Sequence, residues 1–173
     1  MNHRSNVFLI GPMGTGKSSI GRALAKEMKR PFFDVDEVIV EKAGASVAWI
    51  FDVEGEEGFR LREKRVVDEL TQKTNIVLAS SGGAILDPEN RAHLTSRGTV
   101  IYLKTSLAEQ YERTKNDSKR PLLQVNNLEE TLERLHHERA EIYKSLADKE
   151  FDTDQVGIKN LVKQIIQYLE TLR

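Results

Sequence analysis

The stretch Gly11-Pro12-Met13-Gly14-Thr15-Gly16-Lys17-Ser18 follows the apolar run Val7-Phe8-Leu9-Ile10 and precedes helical periodicity beginning near Lys17. This is the spacing GxxxxGK[ST] between a strand and a helix, the setting in which it forms a phosphate-binding loop. Wrapping a triphosphate needs backbone N–H groups pointing one way, and so glycine wherever a Cβ blocks close approach or φ is positive. Gly11, Gly14 and Gly16 meet that need. The helix N-terminus adds about half a positive charge facing the anion. Lys17 is placed to reach the β- and γ-phosphates, and the Ser18 hydroxyl to ligate Mg²⁺. A plain strand-to-helix turn explains one glycine, but not three with Lys-Ser at fixed offsets.

Outward from this loop, short apolar runs alternate with helical patterns. Strands are expected at Val7 to Ile10, Phe32 to Val35, Ile76 to Ala79, Val100 to Leu103 and Glu150 to Asp152. Ile20, Ala23, Leu24 and Met28 mark the first helix, and Ile158, Leu161, Val162, Ile165, Ile166, Leu169 and Leu172 the last. The pattern predicts an α/β fold, a parallel sheet covered by helices on both faces. Two polar segments read as insertions on the ligand-binding side of that sheet, about 36–61 and about 115–127.

A chain of 173 residues suits a single domain. Its 26 Lys and Arg nearly balance 27 Asp and Glu, so no field gathers nucleic acid or an anionic membrane. Zero cysteines exclude disulfides and thiolate metal sites. No run approaches the roughly 20 apolar residues of a membrane span, and Met1 to Ser5 show no long apolar signal. A cytoplasmic location is the expectation.

Asp52-Val53-Glu54-Gly55 fits DxxG, and Thr114-Lys115-Asn116-Asp117 fits the guanine-reading [NT]KxD. Their contexts are wrong for a GTPase: Glu109 to Arg113 is a charged helical surface, and Ser46 before Val47-Ala48-Trp49-Ile50-Phe51 is an N-cap. A GTP-binding switch therefore ranks below a small-molecule or nucleotide kinase.

Substrate selection falls to a few charged residues. Asp34 and Asp36 close the second strand two apart, which places them on one side, one for a magnesium-bound water and one for a substrate hydroxyl. Arg139 falls within the helical stripe Leu132, Leu135, Tyr143 and Leu146, where a charge needs an anion. Arg60 precedes Glu63, which lies on the stripe of Phe59, Val66 and Leu70 and could hold the guanidinium in one rotamer. Two converging arginines make a fork for a carboxylate or phosphate. An internal Arg139 to Glu63 salt bridge explains the same pattern equally well. Arg113, Lys119 and Arg120 lie in or beside the second insertion, as in a lid that neutralises the transferring phosphate.

From about Asn6 to the last helix, the chain resembles the shikimate kinases. The matching motifs are Gly11 to Ser18, Asp34-Val35-Asp36, Phe51 to Arg60, Gly82-Gly83, Arg120-Pro121-Leu122-Leu123, and Arg139 with Tyr143. The resemblance implies a five-stranded, three-layer P-loop fold of the nucleoside-monophosphate-kinase class, with a substrate-binding insertion and a lid. It implies ATP-dependent phosphorylation of the shikimate 3-hydroxyl by a monomer, with Mg²⁺. ATP contacts would come from Gly14, Thr15, Gly16, Lys17, Ser18, Ser19, Arg113, Arg120 and Gln155. Asp36, Arg60, Gly82, Gly83 and Arg139 would bind shikimate. Lys17, Asp36 and Arg120 would be catalytic, and Ser18, with Asp34 through water, would hold the metal. Ser81 stands where the family commonly has a first glycine, which predicts a less permissive pocket wall. Asp154-Gln155 stands where some members place an adenine-contacting arginine.

Overall fold

The computed structural model describes residues 5–117 and 120–173; Lys119, expected in the lid, lies outside them. Strand β1 (Val7–Ile10) is fully buried and forms the centre of a five-stranded sheet. It pairs in parallel with β3 (Val77–Ala79) on one side and β4 (Thr99–Lys104) on the other. The edges are β2 (Phe32–Asp34), beside β3, and β5 (Lys149–Asp152), beside β4. All pairings are parallel and the order is β2-β3-β1-β4-β5. Each predicted strand exists, within a residue or so at each end.

The near-continuous apolar character of the central strands follows from burial on both faces. On one face, Leu9, Ile101 and Leu103 pack against α1 (Lys17–Met28) and α7 (Ile158–Glu170) through Ile20, Leu24, Leu161 and Ile165. On the other, Phe8, Ile10, Val100 and Tyr102 pack against three further helices: α3 (Val47–Thr71), α4 (Pro88–Arg97) and α6 (Leu128–Leu146). Of the other α-helices, α2 (Val35–Ala43) joins this second layer through Val35 and Ile39 and packs on α3, and α5 (Leu107–Thr114) packs on α6.

The first insertion consists of α2 and the first part of α3, joined by a turn at residues 44–46. Ser46 caps α3 by accepting from the Trp49 N–H, as its position predicted. Gly55, at φ 74° and ψ 176°, breaks the helical path inside α3. Asp52 to Gly55 thus lies on a helix and not at a strand end. One expectation needs correction: Asp36 is not on β2. The strand stops at Asp34, whose carboxylate accepts from the Glu37 N–H as the N-cap of α2, so Asp36 occupies the first helical turn.

Candidate active site

Loop residues 11–16 leave β1 and enter α1 with Gly11, Gly14 and Gly16 at φ of 148°, 82° and 86°. Gly11 has a second reason to lack a side chain: a Cβ there would lie 2.3 Å from the Leu103 carbonyl oxygen. Gln110 and Arg113 of α5 brace the loop, donating to the carbonyls of Met13 at 2.7 Å and Gly14 at 3.0 Å. These bonds brace the loop in the conformation an anion cradle needs.

Lys17 is buried, with its ammonium donating to the Gly11 carbonyl at 2.7 Å and the Pro12 carbonyl at 2.9 Å. Burial, reinforced by the Arg120 charge, lowers its pKa to about 7. The Ser18 hydroxyl donates to Asp34, so a hydroxyl and a carboxylate meet beside the loop. That oxygen pair suits a hard divalent ion that takes its other ligands from water and substrate phosphates. No cluster of three His, Asp or Glu side chains able to hold a metal by themselves occurs among the described residues.

A cavity of 440 Å³ opens over the loop, lined by Gly14 to Ile20, Asp34, Asp36, Arg113 and Arg120, with Thr153, Val156 and Ile158 on its far wall. Gln155 is exposed, at φ 58°, and does not line it, although its neighbours do. Thr153, Val156 and Ile158 escaped the sequence reading as site residues. Of the three, the sequence marks only Ile158, as part of the last helix's apolar stripe; its 46% exposure shows that it also faces the cavity.

A second, narrow cavity of 60 Å³ adjoins it and brings together Asp36, Arg60, Gly82, Gly83 and Arg139. Val47, Phe51 and Phe59 of α3 supply its apolar wall, with Pro121 and Leu122 across from them. Asp36, Ser81, Gly82 and Arg120 line both cavities. Burial raises the Asp36 pKa to about 6, with Asp34 and Glu63 adding to the effect.

The two arginines are held differently. Arg60 Nη1 donates to both oxygens of Glu63, at 3.0 and 2.9 Å, and its guanidinium lies so close to Gly83 that a Cβ there would be 2.4 Å from Nη2. Arg139, 5% exposed, does not form the expected alternative ion pair with Glu63 within salt-bridge distance among the described residues. The Nε atoms of both arginines are buried without a hydrogen-bond partner. Buried donors of this kind call for an acceptor. Arg120 Nε pairs with Asp117 at 3.0 Å at the edge of both cavities.

A phosphate loop opening into one cavity and an arginine-walled pocket into the next, with a carboxylate where they meet, define a P-loop small-molecule kinase. The shikimate kinase family model matches residues 13–170. Curated shikimate kinases of Legionella pneumophila (strain Corby) and Actinobacillus succinogenes are 64% and 51% identical. The first comparison spans 95% of this chain and 94% of the relative, the second 98% of each. Among solved structures, a shikimate kinase from Acinetobacter baumannii in complex with shikimate aligns with TM-score 0.95 and 43% identity, covering 97% of this chain and 94% of that one. The chain belongs to the shikimate kinase family, and its activity is the phosphorylation of shikimate in aromatic biosynthesis.

Proposed function

We propose that the γ-phosphoryl group of ATP, bound in the larger cavity, passes to the 3-hydroxyl of shikimate bound in the smaller one. The observation that carries this reading is the shared wall: Asp36 and Arg120 face both cavities, where an acceptor hydroxyl and a terminal phosphate would meet. Asp36 orients that hydroxyl and takes its proton as the new O–P bond forms and the bond to ADP breaks. Its raised pKa still leaves it ionised at neutral pH. Lys17 and Arg120 neutralise charge on the transferring group, and the loop amides hold the phosphates. Bound Mg²⁺, held by Ser18 and through water by Asp34, would supply further charge neutralisation at the phosphates.

Arg60 and Arg139 grip the shikimate carboxylate, while Gly82 and Gly83 leave room beside it. The apolar wall of Val47, Phe51 and Phe59 meets the carbon face of the ring. Ser19 contributes at the phosphates; Arg113 flanks the adenine, and Gln155 serves at the rim of that site. Residues 36–61 form the substrate-binding segment and 115–127 a lid within one kinase domain, acting as a monomer in the cytoplasm. No helix among the described residues is long and apolar enough to cross a membrane. ADP release is the test, measured with ATP or GTP, with and without shikimate. Release that needs both ATP and shikimate is expected. Release with GTP alone would indicate a slow nucleotide switch.

A further inference from the structure

Glu63 is a carboxylate with 1% exposure, and the Arg60 guanidinium satisfies it from one direction only, Nη1 alone reaching both oxygens. A buried carboxylate has room for about four donors, and each unmet acceptor favours protonation. The third bond comes from Ser81, whose hydroxyl donates to Glu63 Oε2. Ser81 follows β3, 18 residues along the chain from Glu63, and is itself buried. Its backbone is pinned on both sides, since the Ser80 hydroxyl donates to the Ser81 carbonyl at 2.9 Å and the Ser80 N–H bonds to Leu9. Ser81 is not among the residues at positive φ, so its side chain carries no backbone strain.

We propose that Ser81 is a positioning residue for acid recognition: its hydroxyl holds the Glu63 carboxylate in place, and Glu63 in turn aims the Arg60 guanidinium into the small cavity. The inference rests on the reading of Arg60 and Arg139 as the carboxylate grip. The chain is Ser81 to Glu63 to Arg60, with Gly83 giving the guanidinium its seat. Burial pushes the Glu63 carboxyl up, while Arg60, Ser81 and Arg139 pull it down; the other acid it interacts with is Asp36, which lines the same cavity. A protonated Glu63 would have a neutral oxygen facing Arg60 and would loosen its hold. Two adjacent features follow one logic: glycine at 83 admits the guanidinium, and serine at 81 fixes what the guanidinium leans on.

The test is a double-mutant cycle. Ser81→Ala should raise the shikimate KM about threefold to tenfold, with kcat and the ATP KM changed less than twofold, and should move the pH at which that KM rises to a higher value. In a Glu63→Gln background the same substitution should have no further effect. Ser81→Thr, which keeps the hydroxyl, should restore the parent KM. An unchanged KM in Ser81→Ala would overturn the proposal, as would an equal penalty in both backgrounds or a matching rise in the ATP KM. Arg139→Ala is run alongside. If its shikimate KM rises while Ser81→Ala is silent, only the Ser81 inference falls; if Arg139→Ala is silent, the carboxylate grip falls and the inference with it.

Discussion

Tyr143 donates its buried hydroxyl to the Gly82 carbonyl at 2.5 Å, fastening the helix that carries Arg139 to the loop that walls the small cavity. The phenol ring stacks on Tyr102 of β4, with centroids 5.1 Å apart, so helix, loop and sheet share one anchor. Arg139 sits one helical turn before it, and its height over the cavity depends on that anchor. Tyr143→Phe removes one bond and leaves a buried carbonyl short of a partner, costing about 1–2 kcal/mol. Urea unfolding should show that loss, and kinetics should show a raised shikimate KM with the ATP KM unaffected. A stability loss with no kinetic effect would separate the anchor from recognition.

Asp36 is costly to the fold and useful to the reaction. Its folded pKa, near 6, lies above that of an ordinary aspartate, so the ionised form destabilises the folded state above that ordinary value and the cost disappears in acid. Asp36→Asn should therefore raise the stability of the unliganded protein by about 1–2 kcal/mol at pH 8, with the gain vanishing near pH 4. Thermal unfolding across that range measures it. Turnover of the variant should fall at least a hundredfold. In the parent enzyme, kcat/KM for shikimate should decline below pH 6 as the carboxylate takes up its proton.

Lys17 predicts a proton linkage of the opposite kind. With a pKa near 7 in the nucleotide-free protein, part of its population is neutral at pH 7.5, and phosphates at the loop favour the charged form. ATP binding should therefore take up a fraction of a proton between pH 7 and 8. Calorimetry in buffers of different ionisation heat reads this directly, and Lys17→Arg should abolish that contribution. Buffer-independent heats for both proteins would refute it.

Two glycines separate backbone demand from side-chain demand. At Gly83 the atoms nearest an added Cβ are the guanidinium end of the Arg60 side chain, whereas at Gly11 it meets the Leu103 carbonyl at positive φ. Gly83→Ala should fold with a melting temperature within a few degrees of the parent, displace the guanidinium and raise the shikimate KM about tenfold. Gly11→Ala should lose about 3 kcal/mol or more of stability. The same two measurements on both variants decide the point.

The loop, the strands and the buried Arg139 were legible because each follows from a periodicity or a fixed spacing within one element. The Arg60 to Glu63 pair was legible for the same reason, being one turn apart. Asp34 and Asp36 are read from the sequence as neighbours along a strand, and that geometry is wrong. A strand alternation was assumed where Asp34, three residues before Glu37, was already an N-cap signal. Ser81 against Glu63, and Thr153 with Val156 across from the loop, were not legible. Ser81 meets Glu63 only where α3 packs against the segment after β3, and Thr153 and Val156 reach the loop only because β5 lies beside β4, and no local pattern records a partner 18 or more residues away.

The most direct measurement compares shikimate with its methyl ester, which keeps the ring and hydroxyls and removes the negative charge. If Arg60 and Arg139 grip a carboxylate, the parent enzyme should lose about 100-fold in kcat/KM on the ester, mostly through KM, as expected for charge-assisted bonds contributing about 3 kcal/mol. Arg139→Ala should discriminate between the two far less. Equal turnover of acid and ester by the parent enzyme would contradict the convergence of both arginines on the substrate's acid group.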